Sequence, residues 1–270
     1  LKDIMKEKAA SLVEQKNVSY RLINDISSLK GLVKSLIGQN SLCIDTETTG
    51  INPINAELIG LSIGYKEGVA YYIPFNGDID KSIIIDELKP LFSGKIAFFG
   101  QNIKYDIHVL NQIGLRIQKV DFDTLLASYV LESHLTKHSL DSLIEKYFHI
   151  TKMTFKEIIP KGKGKTFADV DLKTACTYCC SDVDYTIRLK ELFEKSIQEK
   201  GLSDLYYNIE LPLLPILLKM EDHGIYPVHS YRLRPGFIYP ESAAWAQPIN
   251  QGFVGRLPKT HTHRGPGPSR

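Results

Sequence analysis

SLCIDTETTG, residues 41–50, is the stretch on which the reading of the fold turns. Ser41 to Asp45 is a short apolar run closing on an acid, the pattern of a buried strand. Asp45 and Glu47 stand two apart on that extended backbone, so their side chains share a face. Neighbouring carboxylates repel, and a cation between them relieves the repulsion. Hard oxygen donors favour Mg²⁺ or Mn²⁺. An acid pair at an exposed strand end looks the same, so the pair alone does not establish a site.

Upstream, VSYRLI (18–23) reads as a strand and Asp25 to about Ile37 as a helix, with Asp25 as N-cap. Downstream, LIGLSIGY (58–65) and VAYYIP (69–74) read as two strands around a turn at Lys66–Gly68, a hairpin. KIAFFG (95–100) reads as another buried strand. Helical patterns then dominate, at roughly 104–113, 122–132, 139–148, 171–200 and 204–223. Strands early and helices mixed in later imply an α/β domain with one sheet. No internal repeat is visible.

With 270 residues, 43% hydrophobic, the chain can build one sizeable core. No apolar run is long enough to span a bilayer. The N-terminus has no initiator Met and no apolar leader, so a fragment of a longer cytoplasmic protein is expected. Four cysteines fit a reducing compartment. Cys176, Cys179 and Cys180 lack a second CxxC or a spaced His pair and read as buried helix residues rather than ligands.

Charge divides the chain. Residues 229–270 carry five Arg and one Lys against one acid, whereas residues 1–228 hold 27 basic and 30 acidic residues. The net-negative body is therefore no general basic nucleic-acid binder; DNA contact would run through local groups and bound cations. The tail from His229 also holds six of the thirteen prolines and the only Trp, Trp245. It lacks periodicity, and disorder is expected there.

Two further segments carry acids. Asp106 lies in GQNIKYDIHVL, where a strand passes through a Gly/Asn turn into a helix; there an acid could simply serve the helix dipole. Tyr178 and Asp182 lie in TYCCSDVDYT, four apart and hence on one helix face. Asp184, two positions on, is turned about 200° from Asp182 and is expected to face solvent or a basic neighbour. The Gly/Lys segment PKGKGK (160–165) reads either as a solvated loop or as a contact for phosphates.

Together these segments place four carboxylates and a tyrosine in the order DxE, Asp after NxxY, then Y-x3-D. That order resembles the tyrosine branch of the DEDD exonuclease superfamily. The stretches GQNIKYD, HSLDSLIEKYF, TFKEI, KGKGKTF and NIELPLLPILLKMEDHGI narrow the resemblance to the exonuclease domain of bacterial family A DNA polymerase I, over about residues 18–228. The resemblance implies a ribonuclease H-like mixed sheet flanked by helices. It divides the chain into an N-terminal segment (1–17), an exonuclease domain (18–203), a truncated start of a polymerase domain (204–228) and the atypical tail (229–270). No polymerase motif follows Val228.

The same resemblance implies roles. Asp45, Glu47 and Asp182 would hold one divalent ion. Asp45 and Asp106, partly through water, would hold a second, Mg²⁺ or Mn²⁺ in each case. Tyr178 would orient the attacking water. Gln101, Asn102 and Lys104 fall in a substrate-side motif, and Ile51 and Phe155 where apolar side chains meet the last bases; for Phe155 a core position is the alternative. Ile51 departs mildly from the Leu that often stands there. The implied substrate is the 3′ end of single-stranded DNA, and the implied partner a polymerase domain. Two rivals keep the same fold: a ribonuclease D-like enzyme trimming RNA 3′ ends, and a catalytically silent remnant. Retention of all four acids and Tyr178 favours activity.

Overall fold

The computed structural model describes residues 18–224. The N-terminal segment and the tail, with the disorder expected of it, lie outside the described residues. Six strands form one mixed sheet: β1 (Ser19–Leu22), β2 (Ser41–Thr48), β3 (Leu58–Lys66), β4 (Val69–Pro74), β5 (Ala97–Gly100) and β6 (Val120–Asp123). Their order across the sheet is β1-β4-β3-β2-β5-β6. β2, β3 and β4 pair antiparallel, while β1 joins β4, β5 joins β2 and β6 joins β5 in parallel. Gly68 closes the expected hairpin with φ 74°, a left-handed conformation that glycine adopts without steric cost.

Side-chain alternation sends successive residues of β2 into two separate cores. Leu42 and Ile44 join Leu61, Ile63, Ile73 and Phe98 on one face, beneath the helices Ile26–Leu36, Lys81–Leu88 and Ile103–Gln112. Cys43 joins Ile59, Ala70, Tyr72 and Phe99 on the other, beneath the long helix Leu172–Glu199. Burial on both faces explains why the strands read as continuous apolar runs. The long helix lies close on the sheet at Gly64, where an added Cβ would stand 2.6 Å from Val183 Cγ1 and 2.9 Å from the Val69 carbonyl oxygen. Any larger residue there would lift the helix that carries Tyr178 and Asp182.

Asp25 caps its helix as expected, accepting from Ser28 N at 2.9 Å. Three local readings need correction. The helix expected from 122 begins at Thr124, because Val120–Asp123 pairs with β5 as an edge strand. Four residues are too few to display alternation, and their apolar positions merge with the helical pattern that follows. Helix Lys81–Leu88, capped by Asp80, falls in a stretch without an assigned element. The segment 204–223 is not one regular helix. A short turn, Ser203–Leu205, leads into a π-helical turn, Tyr206–Glu210, and then helix Leu211–Asp222. Pro212 lacks the amide needed for an α-helical bond back to Asn208.

Asp123 ties the sheet edge to two helix starts. Its carboxylate accepts from Leu125 N and Leu126 N at 2.8 and 3.1 Å, and from Asn102 N and Ile103 N at 3.3 and 3.0 Å. Burial lifts its pKa to about 6, against the pull of these amides. Each capped helix start is worth about 1 kcal/mol. Tyr206, fully buried, donates to the Asp123 carbonyl at 3.0 Å. Leu214 and Leu218 of the last helix enter the first core. Residues 206–218 are thus packed into the same body as the sheet.

Candidate active site

Asp45 and Glu47 project from the central strand β2 on the side facing the long helix, where Tyr178 and Asp182 lie one turn apart. Ligand oxygens of Asp45, Glu47 and Asp182 all lie within 4.8 Å of one another. Three carboxylates from two elements thus converge where the sheet meets the helix. They line a cleft with Gln101, Asp141, Phe155 and Tyr178. Burial pushes the Asp45 carboxyl up to about 6. It pushes that of Glu47 up to about 8, with the charge of Asp45 adding to the rise. Converging hard donors, their charge only partly offset by the neighbouring Lys152, fit a divalent cation.

Asp106 stands apart from this trio. It belongs to helix Ile103–Gln112, whose Ile103, Ile107 and Leu110 pack into the core on the other face of the sheet. Its Oδ1 accepts from Thr46 N at 2.9 Å and Thr46 Oγ1 at 2.6 Å. The carboxylate therefore serves β2 rather than the amides of its own helix. Burial raises its pKa well above the usual range, and the charge of Asp45 contributes, so the two acids sense each other across the strand.

Tyr178 is 9% exposed, and burial together with Glu47, Asp141 and Asp45 holds its hydroxyl protonated well past the ordinary tyrosine range. Phe155, 40% exposed, opens the cleft to solvent and stacks on Phe167 at 5.7 Å with 8° between planes. Gln101 is held by its Nε2 donating to the His138 carbonyl at 2.9 Å and by Thr124 donating to its Oε1. Ile51, Asn102 and Lys104 do not line the cleft. Ile51 is 64% exposed on the loop after β2. That loop is held by Tyr105, whose hydroxyl donates to the Gly50 carbonyl. Asn102 takes a left-handed turn, φ 60°, into its helix, a conformation asparagine tolerates better than most residues. Lys104 is ion-paired with Glu221 on the last helix, which His108 also contacts at 2.8 Å.

Asp184 does not face solvent. It is fully buried and accepts from Tyr20 Oη and Gly68 N, both at 2.7 Å, besides pairing with Arg188 at 3.1 Å. The basic neighbour is present, and the acid locks the hairpin to the long helix. The three helix cysteines are buried as expected. Cys179 donates to Glu47 Oε1 at 3.4 Å. PKGKGK is a mainly exposed loop with Gly162 and Gly164 at positive φ.

Two residues at the site were not singled out from the sequence. Asp141, in the first turn of helix Leu140–Phe148, lines the cleft. Lys152 is buried and ion-paired with Asp182.

The raised carboxyls set a pH dependence. In an unfolded chain they titrate near 4. The metal-free folded state keeps protons to higher pH, so it binds more protons than the unfolded chain from about 4 to about 8. Their contribution to stability therefore falls as pH rises through that window. Melting temperature in excess chelator should drop between about pH 5 and pH 8, and saturating Mg²⁺ should remove much of the drop. A flat or rising metal-free curve would contradict carboxyls held protonated by burial.

Among the described residues, no helix is long and apolar enough to cross a membrane. A family model described as 3′-5′ exonuclease matches residues 20–198. A DNA polymerase I of Borreliella burgdorferi is 35% identical over 218 residues, covering 79% of this chain and 24% of that protein. The chain thus spans about a quarter of the length of the curated relatives it matches. Among solved structures, Brucella melitensis NrnC with bound Mg²⁺ matches with TM-score 0.57 at 20% identity, covering 83% of this chain and 100% of that one. Escherichia coli RNase D, an exoribonuclease, matches with TM-score 0.57 at 19% identity over 75% of this chain and 51% of that one. These likenesses give the fold, a ribonuclease H-like sheet flanked by helices. By the extent of the family match and the identity with a bacterial polymerase, the chain belongs to the 3′-5′ exonuclease family found in DNA polymerase I.

Proposed function

We propose that this chain removes nucleoside 5′-monophosphates from 3′ ends of single-stranded or frayed DNA, using two Mg²⁺ or Mn²⁺ ions, in the manner of a proofreading exonuclease. The observation that carries the proposal is the convergence of Asp45, Glu47 and Asp182 within 4.8 Å in a cleft that Tyr178 also lines. In this reading Asp45, Glu47 and Asp182 hold one ion, and Asp45 with Asp106 holds the other. When bound, such ions neutralise the phosphodiester, lower the pKa of water and stabilise the leaving alkoxide.

The chain's own groups do the rest. Tyr178 Oη keeps its proton and orients the attacking water by a hydrogen bond. Thr46 fixes the rotamer of Asp106 from two sides. The exposed ring of Phe155 offers a terminal base a stacking face, a contact that tolerates any base. Gln101, already immobilised, can address the terminal nucleotide without further ordering cost. Ile51, Asn102 and Lys104 complete the substrate side from the strand-end loop and the first turn of helix Ile103–Gln112. For Lys104 this requires release from Glu221. The Gly/Lys loop supplies phosphate contacts.

Because the relatives are DNA polymerases, we infer a polymerase domain as partner and the cytoplasm as compartment. The fold shared with RNase D supports the rival reading, RNA trimming. Single strands of DNA and RNA of equal sequence, labelled at the 5′ end, distinguish the two. Stepwise shortening from the 3′ end, faster on DNA, is expected. Faster shortening of RNA would replace the proposal with its rival.

A further inference from the structure

Lys152 is a cation already inside the acid site. It lies between helix Leu140–Phe148 and Thr154, is 6% exposed, and its Nζ pairs with Asp182 Oδ1. The same ammonium lies 4.1 Å from the centroid of the Tyr178 ring. Burying an ammonium is costly unless anions surround it. The Lys152 ammonium thus sits against a carboxylate that belongs to the converging trio, in a cleft that Asp141 also lines.

We propose that Lys152 is a built-in counter-cation of the trio: its ammonium neutralises Asp182 while no divalent ion is bound, and it withdraws from Asp182 when Asp45, Glu47 and Asp182 close on an ion. This rests on the metal-site reading above. An ammonium and a divalent ion on one carboxylate repel strongly in a poorly screened site. The withdrawn ammonium has another acid at hand, since Asp141 lines the same cleft. Lys152 therefore sets the affinity for the ion, because each binding event includes its displacement. It also holds the trio together in the metal-free protein, where three uncompensated carboxylates would repel.

The test uses the wild-type chain first. With Nζ 4.1 Å from the Tyr178 ring centroid, the protons on the adjacent Lys152 Cε should be shielded by the ring; their NMR signal is assigned by its loss in Lys152→Arg. Titration with Mg²⁺, with binding followed in parallel by calorimetry, should move that signal out of its shielded position in step with occupancy. In Lys152→Met, Mn²⁺ should bind roughly tenfold or more tightly, as expected when a contact charge of like sign is removed. Metal-free melting of this variant should occur below that of the wild type. A Lys152 signal that stays shielded at saturating Mg²⁺ overturns the proposal. So does Mn²⁺ affinity in Lys152→Met equal to or weaker than in the wild type. Failure of the wild type to bind either ion has a separate meaning: the metal-site reading falls, and this inference falls with it.

Discussion

Asp45→Ala is expected to cut the rate of DNA hydrolysis by about 10³–10⁵-fold, the equivalent of several kcal/mol of lost electrostatic stabilisation. Asp45 is the one acid assigned to both ions, so its removal disables both. The residue sits at the centre of the sheet, where β2 pairs with β3 and β5 on either side. The same substitution removes one member of a repelling cluster, so metal-free melting temperature should hold or rise. Asp182→Ala should behave differently. Its activity falls comparably, but its metal-free stability falls too, because Lys152 then loses its buried partner. Single-turnover rates and melting curves in chelator for the two variants check both halves. A marked loss of metal-free stability in Asp45→Ala would make that residue structural.

Tyr178→Phe should lose about 10²–10³-fold in single-turnover rate, the loss of one well-placed transition-state contact. The ring remains, with its neighbour Phe167 at 6.4 Å and the Lys152 ammonium at 4.1 Å, so folding should be nearly unchanged. Metal affinity should hardly move, because the hydroxyl stays protonated and is a poor ligand in that state. The alternative is a ring that only packs between the long helix and Phe167. In that case Phe would be silent and Ala destabilising. An unchanged rate in Tyr178→Phe removes the hydroxyl from the mechanism.

The elements that position the site were legible where the residues carried local physics. β2 announced itself by an apolar run ending in Asp45 and Glu47, and the hairpin by Lys66–Gly68. The long helix showed a sustained period that put Tyr178 and Asp182 on one face. What escaped depended on distant partners. β6 is a strand because β5 offers an edge, and VDFD alone gives no sign of it. Asp184 has the look of a solvent-facing acid until Tyr20 and Gly68, more than a hundred positions away, supply its hydrogen bonds. Lys152, flanked by Thr151 and Met153, has no local feature that marks it as a buried cation. Asp106 was legible as an acid at a strand-to-helix turn, but its bonds to Thr46 and its approach from the opposite layer were not.

On the proposed function, DNA cleavage by this chain depends on divalent ions held by Asp45, Glu47, Asp106 and Asp182. Purified chain incubated with a 5′-labelled single-stranded DNA tests it most directly, first in excess EDTA and then after excess Mg²⁺ or Mn²⁺ is restored. No shortening is expected in EDTA, and stepwise 3′ shortening is expected once either ion returns. Undiminished shortening in excess EDTA, or none with either ion, would contradict it.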